Sequence, residues 1–154
     1  MSPDSAAPAV RPLVFDDIPA VVSLAASCLE AAQWTPSSYE MNFEDIRGWA
    51  IAEQDRLIGF LALRVIVTAH EAEILNLAVD GTCRRKKIAT ALLEAAITYC
   101  AGRGVQAMFL EVRETNTSAI SFYKKHGFGI SGRRPGYYRN PDEAAVSMAR
   151  SLIN

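Results

Sequence analysis

Between Ala72 and Val112 the chain runs through an apolar stretch, a basic loop, an amphipathic stretch and a second apolar stretch, an order few folds accommodate. Ala72 to Val79 reads as a strand interrupted by Asn76, and Asp80-Gly81-Thr82 ends it. Ile88, Leu92, Leu93, Ala96, Ile97 and Cys100 recur at helical spacing, which predicts a helix from Ile88 to Cys100, stopped by Gly102 and Gly104. Ala107 to Val112 then returns as a strand that is apolar on both faces except at Glu111. Strand, helix, strand in that order resembles a parallel crossover, and a crossover needs a sheet with helices on its faces.

The flanking segments extend the same sheet. Val10 to Phe15 reads as a first strand, and Asp16 or Asp17 caps a helix with Ile18, Val21, Val22, Leu24, Ala25 and Leu29 on its apolar stripe. Gln33-Trp34-Thr35-Pro36 breaks that helix, and a second, weaker one is expected from Pro36 toward Ile46. Trp49 to Glu53 and Leu57 to Thr68 are strands around a hairpin turn at Gln54-Asp55-Arg56. Asn116 caps a short helix to His126, Gly127 ends it, and Phe128 is placed to pack back onto it. Strands at Gly129 to Arg133 and Ala144 to Leu152 close the chain. The expectation is a mixed α/β domain over residues 10–154 behind a flexible leader at 1–9.

Several function classes fall away on composition. The 154 residues carry a formal net charge of −1, so no broad attraction to nucleic acid or to a membrane surface is expected. Cys28, Cys83 and Cys100 have no metal-ligand spacing, and their odd number argues against a disulfide framework; a reducing cytoplasm is the expected home and no metal is implied. The first ten residues lack a signal-peptide pattern, and Leu57 to Ala69 is too short and too interrupted, by Gly59 and Arg64, to span a bilayer.

The loop Gly81-Thr82-Cys83-Arg84-Arg85-Lys86-Lys87 feeds directly into a helix N-terminus, where free N–H groups and the positive end of the dipole converge. Four basic side chains there either hold an anionic ligand such as a phosphate or form a solvated basic patch. A Walker A loop is excluded because the second Gly and the hydroxyl are missing, and no Gly-x-Gly-x-x-Gly is present. Glu111, set in its apolar strand, loses hydration, the condition under which a carboxylate can work as a general base near neutral pH. The alternative is a structural ion pair with Arg113, two residues on and on the same face. Tyr123, among Ala119, Ile120, Phe122 and His126, reads by itself as core, and Asn116 first as an N-cap.

Together these residues resemble the GNAT superfamily of acetyl-CoA-dependent N-acyltransferases. Arg84-Arg85-Lys86-Lys87-Ile88-Ala89 aligns with the superfamily's Arg/Gln-x-x-Gly-x-Gly/Ala loop, and Asn116 through Tyr123-Lys124-Lys125-His126-Gly127-Phe128 matches its later signature. Within it, Ile74 to Asp80, Leu110-Glu111-Val112-Arg113, Arg133 to Tyr138, and Trp34 before Ser37-Ser38-Tyr39 look like the bacterial ribosomal-protein alanine N-acetyltransferases. The resemblance implies a central mixed, twisted sheet of about six or seven strands flanked by about four helices. It implies Glu111 as proton acceptor and Tyr123 as proton donor. Acetyl-CoA would be held by backbone at Leu77, Ala78 and Val79, by Arg85, Lys86, Lys87, Ile88, Ala89 and Thr90, and by Asn116. Trp34, Tyr137 and Tyr138 would line the path of an acceptor N-terminus, which could belong to a ribosomal protein. Lys87 departs from the pattern: the superfamily has Gly there, where a missing side chain lets backbone approach pyrophosphate. Two alternatives stay open: acetylation of lysine side chains or a small amine, and an acetyl-CoA-binding module without catalysis.

Overall fold

The computed structural model describes residues 9–28, 46–83, 87–139 and 141–153. In chain order these form β1 (Arg11–Pro12), α1 (Ile18–Ser27), β2 (Ile46–Glu53), β3 (Arg56–Ile66) and β4 (Glu71–Val79). There follow α2 (Ile88–Ala101), β5 (Ala107–Arg113), α3 (Thr117–Lys125), β6 (Gly129–Tyr138) and β7 (Glu143–Ser151). The strands make one seven-stranded sheet in the order β1-β2-β3-β4-β5-β7-β6. Every neighbouring pair is antiparallel except β4 with β5, the parallel pair joined through α2, as the crossover pattern predicts.

Each face of the sheet has its own core. On one, Leu92, Leu93 and Ala96 of α2 and Tyr123 of α3 pack against Leu61, Leu63, Met108, Leu110 and Met148. On the other, Ile18, Val21 and Leu24 of α1 pack against Phe60, Ala62 and Ala78. Phe60, Leu61, Leu92, Met108 and Met148 have almost no exposed surface. Burying a side chain of that size stabilises by about 1.5–3 kcal/mol each, which makes β3, β5, β7 and α2 the rigid frame of the molecule. Gly59 lets α2 sit close: a methyl built on it would lie 2.7 Å from Ile88 Cγ2 and 3.2 Å from Leu92 Cδ1.

Several expected boundaries move, each for a local reason. The first strand stops at Pro12, because Phe15–Asp17 turns as a 3-10 helix. Asp17 does not cap α1 with its side chain; its carboxylate accepts from Val14 N and from both terminal nitrogens of Arg11, each at 2.8 Å. The hairpin turn is two residues long, Gln54 and Asp55, both at positive φ (50° and 62°), so Arg56 already pairs with Glu53. β3 ends at Ile66 because Val67–Ala69 forms a 3-10 turn closed by His70 at φ 56°. β6 runs on to Tyr138 rather than ending at Arg133, carried by its pairing with β7 through a register shift between Arg134 and Tyr138. Three α-helices are present among the described residues, against about four expected. The helix expected from Pro36 falls on residues 36–45, outside those described, and Ile46 opens β2. No helix of the described residues is long and apolar enough to cross a membrane.

Candidate active site

β4 and β5 pair only from Glu71↔Ala107 to Glu73↔Phe109. Beyond that point β4 continues to Val79 on β3 alone and β5 continues to Arg113 on β7 alone. The sheet therefore opens like a wedge at its centre. Part of the cause is a β-bulge in β4: Ile74 faces Leu63 and Asn76 faces Ala62, leaving Leu75 as an extra residue. The bulge also changes which side chains face which core. Before it Ala72 and Ile74 pack beneath α2, and after it Leu77 and Val79 do so while Ala78 turns to α1. Leu77 and Ala78 lie on the opened edge; Val79 ends it, its carbonyl accepting from Cys28 Sγ at 3.5 Å. A strand edge inside a sheet offers backbone donors and acceptors to any extended, amide-bearing chain laid beside it.

The wedge leads to the start of α2. Asp80 ties the loop down: its Oδ1 accepts from Thr82 N (2.9 Å) and Thr82 Oγ1 (2.7 Å), and its Oδ2 accepts from Arg56 at 2.7 Å. Those hydrogen bonds, the Thr82 hydroxyl first, lower the Asp80 carboxyl to about 2. Arg84, Arg85 and Lys86 lie outside the described residues. Lys87 is described, and it sits at the N-cap of α2 with φ 59° and ψ 28° and no side-chain cap. The backbone there is left-handed, which explains a glycine preference more directly than close approach to a ligand, the reason the sequence suggests. Lys87 gives no side-chain cap, and the first N–H groups of α2, at Ile88, Ala89 and Thr90, have no acceptor within the helix, the arrangement that lets a helix start take an anion. Thr90 Oγ1 also lies 3.3 Å from His126 Nε2, linking this helix end to the last turn of α3.

Glu111 and Tyr123 lie on opposite faces of the sheet. Leu110 and Val112 belong to the core under α2, so Glu111 between them points to the other face, while Tyr123 is part of that same core. Tyr123 is almost fully buried, with ring contacts to Phe122 at 5.3 Å and Phe128 at 5.4 Å. Burial pushes its phenol far up, so it stays protonated well past neutral pH. Asn116 caps α3 as expected, its Oδ1 accepting from Ala119 N at 3.1 Å.

The alternative ion pair between Glu111 and Arg113 does not form. Arg113 turns away to Glu143 (3.3 Å) and to the carbonyls of Pro141 and Arg139, because β7 and the turn before it bring those groups alongside. Glu111 instead meets Arg134 of β6, whose Nε lies 3.4 Å from Oε2. That Oε2 is buried and accepts no hydrogen bond, a deficit worth about 1–3 kcal/mol in an ordinary interior. Tyr138 stands over Arg113, ring centroid 4.5 Å from the guanidinium, and packs edge-on to Tyr137. Burial, then Tyr137 and then the Glu111 carboxylate push the Tyr138 phenol up to about 12. Tyr138 is thus brought to Glu111, Tyr137 is about half exposed beside it, and Trp34 lies outside the described residues. Two charged neighbours of Glu111 were not singled out from the sequence: Arg134, quoted only as part of a motif, and Glu73, whose charge in the alternating Glu71-Ala72-Glu73-Ile74 run was the available signal. Among the described residues no cluster of three or more His, Cys, Asp or Glu could hold a metal.

The centre of the molecule thus combines a sheet opened between two parallel strands, a helix start that Lys87 does not cap, and a buried carboxylate and phenol on opposite faces. The chain belongs to the acetyltransferase (GNAT) family, whose model matches residues 18–128. Among its curated relatives, the [ribosomal protein bS18]-alanine N-acetyltransferase of Haemophilus ducreyi is 39% identical over 103 residues, 65% of this chain and 70% of that protein. The protein of the same name from Escherichia coli K12 is 31% identical over 143 residues, 91% of this chain and 95% of that one. The crystal structure of the ribosomal-protein-S18-alanine N-acetyltransferase from Escherichia coli superposes with a TM-score of 0.83 at 28% identity, covering 95% of this chain and 94% of that one.

Proposed function

We propose that this enzyme transfers the acetyl group of acetyl-CoA directly to the N-terminal α-amine of a protein, with a ribosomal protein that begins with alanine as the acceptor class and the cytoplasm as the place of reaction. The observation that carries the reading is Glu111 Oε2, a buried acceptor that takes no hydrogen bond, faced by Arg134 Nε at 3.4 Å, on a strand that borders the wedge. An ammonium group is the ligand that completes it.

The donor fits the wedge. The amide-bearing arm of acetyl-CoA would be held along Leu77, Ala78 and Val79, its pyrophosphate by the N–H groups of Ile88, Ala89 and Thr90 and the charge of Lys87, and Asn116 would offer its remaining amide donors; Arg85 and Lys86, which the family resemblance assigns to the same ligand, lie outside the described residues. The acceptor enters from the opposite face, past Tyr137 and Tyr138; Trp34, which the resemblance assigns to the same path, lies outside the described residues. An α-ammonium has a pKa of about 7.7–8.0 against about 10.4 for lysine, so freeing its nitrogen at neutral pH costs about 3 kcal/mol less. Glu111 takes the proton as the nitrogen attacks the thioester carbonyl, and backbone N–H groups of the opened edge stabilise the oxygen as it becomes negative. Tyr123, kept protonated by burial, donates to the departing sulfur. The three cysteines are buried and the direct transfer needs none of them.

Tyr123→Phe and Glu111→Gln test the assignment. Each is expected to lower kcat by about 10²-fold or more while acetyl-CoA still binds. Wild-type turnover in either variant would remove that residue from the mechanism.

A further inference from the structure

The proposed transfer leaves one proton unaccounted for by a single carboxylate. An α-ammonium nitrogen carries three hydrogens and the amide product carries one, so two protons leave nitrogen as the C–N bond forms and the C–S bond breaks. Sulfur gains one, from Tyr123, which regains its own from solvent, and the balance is one proton released per turnover. Until the second proton leaves, the nitrogen of the adduct is positively charged and departs more readily than the thiolate, so the adduct reverts. Glu111, loaded by the first proton, cannot take the second.

A second carboxylate stands beside it. Ala72 and Ile74 pack beneath α2, so Glu73 between them faces the same side of the sheet as Glu111. Glu73 pairs in register with Phe109, two residues before Glu111, at the point where the strands begin to splay. Its carboxylate is about twice as exposed, 28% against 13%, so the pair grades outward from the buried base toward water. We propose that Glu73 is a relay residue acting through Glu111: it accepts the first proton from Glu111 and passes it to solvent, so that Glu111 is empty when the second proton must leave nitrogen.

The surroundings suit that task. Arg64 of β3 lies 3.9 Å from Glu73, and Arg134 of β6 lies 3.4 Å from Glu111. The two cations hold two carboxylates on one face without fixing either by a short hydrogen bond. Burial pushes the Glu73 carboxyl above its ordinary value; Arg64 pulls it back, Glu111 pushes it up again, and Arg134 opposes that. Tyr138, the other titratable group against Glu111, keeps its proton through the working range. Tyr123 lies across the sheet and offers no exit on this face.

The relay rests on the function proposed above, and Glu73→Gln tests it with an alanine-starting peptide at about pH 6.5 and about pH 9, on either side of an α-amine pKa of about 7.7–8.0. At the lower pH the substrate arrives as ammonium and two protons must be removed; at the higher pH it arrives as amine and one remains. Glu73→Gln is expected to lower kcat/KM for the peptide about tenfold at the lower pH and less than about twofold at the higher, with Glu73→Asp recovering most of the loss. An equal loss at both pH values, or none at either, overturns the relay while leaving the function in place. Wild-type protein inactive on the peptide at both pH values overturns the function and the relay together.

Discussion

Gly59→Ala probes the contact that fixes the start of α2. The added methyl would lie 2.7 Å from Ile88 Cγ2 and 3.2 Å from Leu92 Cδ1, where carbon atoms pack at about 3.5–4.0 Å. β3 cannot retreat, since it is paired on both sides, by β2 and by β4. Ile88 and Leu92 cannot swing out, since both are fully buried. The helix start must move by close to an ångström, and overpacking of that kind costs about 1–3 kcal/mol. At about 2–4 °C per kcal/mol for a domain of this size, thermal unfolding should fall by about 2–12 °C. Because Ile88, Ala89 and Thr90 are the residues displaced, KM for acetyl-CoA should rise about tenfold, a loss of about 1.4 kcal/mol, with kcat changed less. Ile88→Leu removes the clashing Cγ2 branch, so the double variant should recover much of both losses, with a coupling above about 0.5 kcal/mol. Differential scanning fluorimetry and initial-rate kinetics read the two effects. Gly59→Ala with wild-type melting and wild-type KM would show that this close approach does not set the position of α2.

Lys87→Gly should relieve a left-handed backbone that costs an L-residue about 1–2 kcal/mol, offset by about 0.4–1 kcal/mol of unfolded-state entropy, so melting should rise slightly. The same variant loses a cation at the anion site, so its KM for acetyl-CoA should vary less with salt than that of the wild type; a lower melting temperature would contradict the strain. Asp80 is held at about 2 by Thr82 and Arg56, below its ordinary 3.8. A depressed carboxyl stabilises above its unfolded pKa and loses that contribution as pH falls toward the folded one. Glu114 and Glu143 are lowered in the same direction, by Arg133 and by Thr115 respectively. Melting should therefore be flat from about pH 8 to 5 and fall below about pH 4, and a curve already falling near pH 6 would point to other groups.

The crossover at the centre of the sheet was legible because its signals are local: helical spacing from Ile88 to Cys100 and apolar runs on either side. The wedge between β4 and β5 was not. It arises from a bulge at Leu75 and from β7 claiming the far edge of β5, and both are facts of pairing between distant segments. Glu111 could be singled out because charge in an apolar strand is visible in one dimension. Its partner could not, since Arg113, two residues away, is the obvious neighbour in sequence and Arg134 the actual one in space. Tyr123 read as core, and it is core; the use proposed for it depends on that same burial, which keeps its phenol protonated. Lys87 showed as a departure from a pattern, but the left-handed backbone behind the glycine preference needed coordinates.

The central claim is that acetyl-CoA is spent on an N-terminal amine. CoA thiol release can be followed with purified protein and a short peptide that begins with alanine, beside the same peptide N-terminally blocked and carrying one free lysine. Release with the free N-terminus and none with the blocked peptide is the expected result. Release that persists with the blocked peptide would contradict the account and make the enzyme a lysine acetyltransferase.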